Sequence, residues 1–282
     1  MHLKSYFFTD KLLHMSLVPD CKKNLLLSAV IVVHNEEYHL DECLKALSFA
    51  DELVVVLDKC TDKSKEIALK HTKNIIEGSW NIEGERRNVA LDNCQGKWVL
   101  ELDADERISE DLKNEILSNI KTYDKCNFKT SVHNYVGKRF VKYGWLRVMG
   151  KHDEQFIHYN GNKKYIEDRS LHPIANLKGE TKMLKSPVIH YMDHDISDLI
   201  NRFNRYTSLR AKDLVDSSKK IKKRKLLPLF FSFLNRFFKA FVINKGYKEG
   251  GLGLLVSFFS SSYNLVAYLK AIEIINNSSN KK

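Results

Sequence analysis

The chain has 282 residues, of which 43% are hydrophobic and 29% charged, with only four prolines. This composition supports a full globular core and excludes a disordered chain or long proline-rich linkers. The formal net charge of +11 calls for an anionic partner: nucleic acid, an acidic membrane surface or a phosphorylated substrate.

The five cysteines, Cys21, Cys43, Cys60, Cys94 and Cys126, are scattered and never form a C-x-x-C pair. That pattern argues against a disulfide framework or zinc knuckle and fits a reducing compartment. Met1 to Asn24 shows no apolar stretch followed by a small-residue cleavage site, so cytoplasmic residence is expected.

The apolar, β-branched run from Leu25 to Val33 reads as a buried strand. Leu40, Cys43, Leu44 and Leu47 recur at helical spacing. Leu53 to Leu57 is a second strand, followed by a helix around Ile67 to Leu69. Ile75-Ile76 marks a third strand, Glu85 to Asn93 a helix, and Trp98 to Leu102 a fourth strand. Strands alternating with helices imply a parallel sheet covered on both faces, with ligands beyond the carboxyl ends of its strands.

From Asn127 to His194 the pattern is irregular, and Asp198 to Asp216 reads as helix. Lys219 to Lys225 is a basic run. Leu227, Phe230, Phe231, Leu234, Phe237, Phe238 and Phe241 then form an apolar helical stripe, with Phe233 out of pattern and Asn235, Arg236 and Lys239 opposite. Gly250 to Leu269 carries no charge and is about 20 residues long, enough to span a bilayer. Its glycines, serines and asparagine favour an interfacial or packed helix instead.

The chemistry concentrates after the strands. Asp103-Ala104-Asp105 follows the fourth strand, where alternate residues of extended chain present two carboxylates together. Such a pair repels itself unless a cation joins it, and hard oxygen ligands suit Mg²⁺ or Mn²⁺. The plain alternative is a solvated acidic turn. The first strand ends in Val33-His34-Asn35-Glu36-Glu37, where a glycine-rich phosphate loop would stand in a dinucleotide site or P-loop. Carboxylates cannot neutralise a diphosphate, so both features point to a nucleotide bound through a bridging metal. Glu36 and Glu37 also suit the first turn of a helix.

Asp58, after the second strand, is placed to accept hydrogen bonds from a base or ribose. Thr61 or Asp62 can cap the next helix. In Glu83-Gly84-Glu85-Arg86-Arg87-Asn88, an arginine can reach diphosphate oxygens or simply sit on a solvated face.

Taken as an ordered set, V-V-H-N-E-E, V-V-L-D-x-C-T-D, R-R-N and W-V-L-E-L-D-A-D-E resemble the nucleotide-binding half of family 2 glycosyltransferases with the GT-A fold, from about Ser28 to Ser109. A looser similarity to the branch of lipopolysaccharide inner-core glucosyltransferases rests on Leu171-His172-Pro173, Gly179, Pro187 to Tyr191, Asn204 to Thr207, and Lys245 to Gly253, followed by Tyr263 and Tyr268-Leu269-Lys270.

The resemblance implies an α/β fold: a Rossmann-like, mostly parallel sheet flanked by helices, with a C-terminal helical extension. It places a GT-A domain at 25–210 (nucleotide-sugar half 25–125, acceptor half 126–210) and a basic, Phe-rich membrane-associating extension at 211–282. It implies an inverting hexosyltransferase using a UDP-sugar and Mg²⁺ or Mn²⁺. Val33, His34, Asn35, Glu37, Asp58, Arg87, Asp103, Ala104 and Asp105 would hold the nucleotide-sugar, Asp103 and Asp105 the metal.

The acceptor would be a lipid-linked saccharide or lipopolysaccharide core at the inner face of the cytoplasmic membrane, whose anionic surface is a further partner. Nucleic acid is not an expected partner. Leu171-His172-Pro173 stands where the branch has V-H-E, so the base must lie elsewhere: Asp168 is the first choice, with Glu167 and Glu180 as the other candidates. His172 and His190 are possible acceptor or phosphate contacts, or structural histidines.

Two rivals remain on sequence grounds. A sugar nucleotidyltransferase shares the sheet but needs a glycine-rich loop that this chain lacks. A non-catalytic, basic nucleotide- or RNA-binding protein would account for the charge, but no clustered RNP-like aromatics accompany it.

Overall fold

The computed structural model describes residues 25–149, 154–167, 173–217 and 226–279. The first half alternates strand and helix: β1 (Leu27–Val33), α1 (Leu40–Ala46), β2 (Glu52–Asp58), α2 (Ser64–Leu69), β3 (Ile75–Gly78), α3 (Glu83–Asp92), β4 (Trp98–Glu101), β5 (Glu106–Arg107) and α4 (Glu110–Thr122). Then come β6 (Asn127–Thr130), β7 (Val132–Val136), β8 (Arg139–Phe140), α5 (Gly144–Met149), β9 (Glu154–Tyr159), β10 (Lys163–Tyr165), β11 (Ala175–Leu177), β12 (Thr181–Met183) and β13 (Val188–Asp193). The chain closes with α6 (Ile196–Ser217), α7 (Leu226–Phe238), a π-helical turn at Lys239–Ile243, a 3₁₀ turn at Gly246–Glu249 and α8 (Gly250–Ser279).

The main sheet has seven strands in the order β12-β6-β9-β4-β1-β2-β3. β4, β1, β2 and β3 run parallel, and β9 runs against both β4 and β6. Period-2 alternation splits β1 between two cores. Ala29, Ile31 and Val33 pack with Leu40, Leu44 and Leu47 near α1 and with Leu112, Ile116 and Ile120 of α4. Val30 packs the other way, with Val54, Val56 and Val99 against Ala90 and Leu91 of α3. Both faces are therefore buried, which is why these strands read as unbroken apolar runs.

A second sheet, ordered β5-β13-β7-β8, rises from the end of β4. Its β13 pairs antiparallel with β5, setting His190 opposite Glu106, and parallel with β7. The irregular sequence from Asn127 onward thus builds both a continuation of the first sheet and a short sheet standing over its carboxyl edge.

The C-terminal helices are bound to this body by polar joints. Lys270 of α8 donates to the Asn204 carbonyl (3.0 Å), Asn204 Oδ1 (2.7 Å), Thr207 Oγ1 (2.8 Å) and Ser208 Oγ (2.9 Å) of α6. Buried Glu249 accepts from Arg139 Nη2 (2.6 Å) and from the backbone N–H groups of Lys142 and Tyr143 (both 2.8 Å). A Cβ on Gly253 would lie 1.9 Å from the Gly246 carbonyl oxygen. The Lys245 to Gly253 segment is therefore a tight structural joint between α8 and the loop before α5.

The Phe-rich helix divides its apolar arc. Phe233, out of pattern in the sequence, packs edge-on against Phe258 of α8, and Phe237 stacks on Phe241. Leu227, Phe230, Phe231, Leu234 and Phe238 are exposed. The basic run at Lys219 to Lys225 lies outside the described residues.

Candidate active site

β4 delivers Asp103 and Asp105 to the carboxyl edge of the main sheet, where they occupy the turn into β5 rather than extended chain. The turn is held from three sides. Glu106 Oε2 accepts the Asp103 N–H (3.0 Å), Arg107 donates to the carbonyl of buried Ala104 (2.7 Å), and the Tyr191 N–H of β13 donates to the Asp105 carbonyl (2.8 Å). Asp103, half-exposed, accepts from Arg87 Nη2 at 3.3 Å.

Asp105 Oδ2 lies 3.1 Å from His190 Nε2, whose Nδ1 is 2.9 Å from Asn134 Oδ1. The Asn134 amide nitrogen donates to the Leu146 carbonyl, so its oxygen faces the histidine and both imidazole nitrogens act as donors. Burial works against a charged imidazole here. The hydrogen bond to Asp105 and the charge behind it prevail, raising His190 to about 9. The same contact holds Asp105 below the usual carboxylate range despite burial.

The loop after β1 supplies the opposite wall. Asn35 adopts a left-handed backbone (φ 58°), fixed by its Oδ1 accepting the Thr61 N–H at 2.7 Å. This turn separates the two glutamates that follow. Glu37 Oε2 accepts the Lys63 N–H at 3.0 Å, capping the start of α2. Glu36 points into the cleft, where burial first, and then the charges of Asp105 and Asp103, push its carboxyl up to about 7. His34 Nδ1 lies 2.6 Å from the Asp58 carbonyl oxygen, and Val33 is buried with its carbonyl facing Cys60 Sγ.

Asp58 is buried and already engaged: Arg86 Nη1 donates to Oδ2 at 2.6 Å and the Trp80 N–H to Oδ1 at 3.0 Å. Lys59, also left-handed (φ 53°), donates to the Trp80 carbonyl at 2.6 Å, so this loop is fastened to the end of β3.

Three consecutive residues of α3 thus serve three regions, as side chains about 100° apart on a helix can. Arg86 pairs with Asp58. Arg87 pairs with Glu83 and Asp103 and lies over the Tyr165 ring. Asn88 bonds the β10–β11 hairpin.

The acceptor-side candidates separate by topology. Glu180 precedes β12, whose Thr181 pairs with Asn127 at the amino end of β6, and Asn127 pairs with His158 near the amino end of β4. It sits at the end of the sheet opposite Asp103, with its carboxylate on Lys182. Glu167 lies beside the first turn of α3, at the Asp103 end. Asp168 and His172 fall outside the described residues.

Sequence reasoning did not single out Asn134 or the hairpin contacts of Asn88, and among the two glutamates it placed Glu37 in the site rather than Glu36. The one available signal was Asn35 itself, a residue type that tolerates positive φ and so redirects the chain after it.

The residue set fits a divalent cation. Asp103 Oδ2 and Asp105 Oδ1 are hard oxygens beside those already engaged. Among the described residues no three His, Cys, Asp or Glu side chains close around one point.

A mostly parallel sheet carrying an Asp-x-Asp turn at its carboxyl edge, with helices on both faces, defines a glycosyltransferase of the GT-A fold. The family model for glycosyl transferase family 2 matches residues 28–172, more than half of the chain, and the chain belongs to that family.

Among its relatives, an uncharacterised glycosyltransferase of Rickettsia conorii is 26% identical over 252 residues, covering 82% of this chain and 84% of the relative. The lipopolysaccharide core biosynthesis glycosyltransferase LpsC of Rhizobium meliloti is 23% identical over 223 residues, covering 73% and 79%. Residues 1–349 of TarS from Staphylococcus aureus, solved with UDP-GlcNAc, superpose with a TM-score of 0.46 at 15% identity, over 88% of this chain and 89% of that one.

Proposed function

We propose that the chain transfers a hexose, glucose in the first instance, from a UDP-sugar to a lipid-linked saccharide or lipopolysaccharide core, with inversion at the anomeric carbon. The observation that carries this reading is the Asp103–Asp105 turn, faced by Glu36 and set where a glycine cradle for phosphate is missing. The acceptor class is supported by the similarity to LpsC, whose name places it in lipopolysaccharide core biosynthesis.

Asp103 and Asp105 would hold Mg²⁺ or Mn²⁺, which stabilises charge on a departing diphosphate when bound. The chain's own residues do the rest. Arg87 orients Asp103, and His190 orients Asp105 while keeping it ionised. Asp58 and the His34 to Glu37 loop form the nucleoside wall, with Val33 and Ala104 as its buried floor. A carboxylate from the acceptor side, Asp168 in this reading, removes the acceptor hydroxyl's proton as the new bond forms, while His172 contacts the acceptor.

The exposed face of α7 is read as a membrane-contacting surface. With the basic run at Lys219 to Lys225, it suits peripheral attachment to an anionic inner leaflet. Gly246–Ser278 is long and apolar enough to cross a bilayer, but its Lys270 is tied to α6, and a packed helix is the reading adopted here.

The testing experiment is a donor screen by thermal shift with and without Mn²⁺, followed by turnover of the stabilising nucleotide-sugar. Stabilisation by a UDP-sugar only with Mn²⁺ is expected. Equal stabilisation without any divalent ion would remove the metal-bridged reading.

A further inference from the structure

The β10–β11 hairpin is fixed to the nucleotide half of the molecule at one amide. Asn88 is buried on α3, and its amide makes three hydrogen bonds to the hairpin. Its Oδ1 accepts the Tyr165 N–H at 2.8 Å, and its Nδ2 donates to the Tyr165 carbonyl at 2.9 Å and to Glu167 Oε1 at 2.7 Å. An asparagine can accept once and donate twice in this way; an aspartate of the same shape cannot donate at all.

One turn earlier, Gly84 lets the hairpin approach: a Cβ there would stand 2.7 Å from the Ile166 carbonyl oxygen and 3.5 Å from the Glu167 Cα. A neighbouring network supports the same register. The Tyr165 hydroxyl donates to Glu101 Oε2 at 2.8 Å, and Lys163 Nζ lies 2.6 Å from Glu101 Oε1. Glu101 is buried; Lys163 and His158 beside it hold its carboxyl below the usual range in spite of burial.

The placement matters because α3 is shared. Arg87, adjacent to Asn88, contacts Asp103, so the same helical turn that meets the Asp-x-Asp turn also meets Glu167, 79 positions further along from Asn88. We propose that Asn88 is a positioning residue for the acceptor side of the reaction: it sets the hairpin end at Glu167 relative to the donor held by Asp103. This rests on the glycosyl-transfer reading above and adds to it a residue that acts on the rate and not on donor binding.

The test uses two variants that disturb the hairpin by different means. Asn88→Asp keeps the shape but turns a carboxylate toward the Tyr165 carbonyl and Glu167. Gly84→Ala pushes on Ile166 without touching Asn88, while alanine is the better helix former, so a loss of rate in this variant is not a loss of helix. UDP-glucose with Mn²⁺ is the probe, and its hydrolysis to glucose and UDP, with water as acceptor, is followed.

Both variants are expected to lose at least 30-fold in kcat, with KM and the calorimetric Kd for UDP-glucose within threefold of the parent protein. Unchanged kcat in both, or a Kd weakened in step with kcat, overturns the proposal. Failure of the parent protein itself to turn over UDP-glucose overturns the glucose-donor reading on which the test stands, a result read before any variant is made.

Discussion

His190 Nε2 lies 3.1 Å from Asp105 Oδ2, although 85 positions separate the two residues, Asp105 in the turn before β5 and His190 in β13. Asn134 fixes the other ring nitrogen, so the imidazole has one orientation and Asp105 one exposed oxygen. Removing a group that orients a metal-holding carboxylate costs about 10- to 100-fold in metal affinity or activity. His190→Ala is therefore expected to raise the Mn²⁺ concentration for half-maximal turnover by that factor. A Mn²⁺ titration of UDP-glucose hydrolysis measures it, and an unshifted midpoint would remove the histidine from the site.

Asp58 has a double duty. Its carboxylate neutralises Arg86 and receives the Trp80 N–H, so the wall beside the nucleoside is shaped around it. Asp58→Ala leaves Arg86 without its partner in a part-buried place, at a cost of about 3 kcal/mol, the lower end of the range for breaking buried pairs. It should also raise the donor KM by more than it lowers kcat. Urea unfolding and steady-state kinetics check the two halves; a loss confined to kcat contradicts the nucleoside role.

The exposed α7 face predicts membrane attachment that can be lost without unfolding. Phe230 and Phe231 are 49% and 60% exposed, so Phe230→Ser with Phe231→Ser should leave the melting temperature unchanged. Each phenylalanine buried in a membrane contributes about 1.5–3 kcal/mol, so the double variant should partition at least about tenfold more weakly into anionic vesicles. Flotation with vesicles of mixed phosphatidylglycerol and phosphatidylethanolamine reads this. Equal flotation of parent and variant would exclude this face.

The Glu249 joint predicts a stability defect remote from the cleft. Glu249→Ala strands the Lys142 and Tyr143 N–H groups, and an unsatisfied buried donor costs about 1–3 kcal/mol. Gly253→Ala should destabilise as well, because its Cβ has no room beside the Gly246 carbonyl. Thermal melts that match the parent in both variants would contradict the joint.

Glu115 gives a pH test of the junction between α4 and the segment before β13. Burial raises its pKa, but the N–H groups of Lys185 and Ser186 on its two oxygens (2.8 and 2.9 Å) bring it below the ordinary value. A lowered folded pKa means stability that is present above the unfolded value, about 4.3 for glutamate, and lost as pH falls through the folded one. The stability gap between the parent protein and Glu115→Gln should therefore be full at neutral pH and close below about pH 4. A gap independent of pH would show that the ionised carboxylate is not what holds this junction.

β1, β2 and β4 are legible as strands because they are buried on both faces, and α1 because it shows one apolar side, formed by Leu40, Cys43, Leu44 and Leu47. The acidic turn is legible too, since it must follow a central strand. The choice between Glu36 and Glu37 is not, because it depends on the positive φ of Asn35, a single torsion. Nor is the pairing of His190 with Asp105, which needs the second sheet, or the inward turn of Phe233, which needs Phe258 of another helix. Local pattern carries the elements, and contacts distant in sequence carry the site.

The central claim is that Asp103 and Asp105 hold a divalent ion through which a UDP-sugar is bound and turned over. The most direct measurement is calorimetric binding and hydrolysis of UDP-glucose by the parent protein and Asp105→Ala, each with Mn²⁺ and with excess EDTA. The account predicts binding and turnover only for the parent protein with Mn²⁺, with Asp105→Ala folded but inactive. Full turnover by Asp105→Ala, or by the parent protein in EDTA, would contradict it.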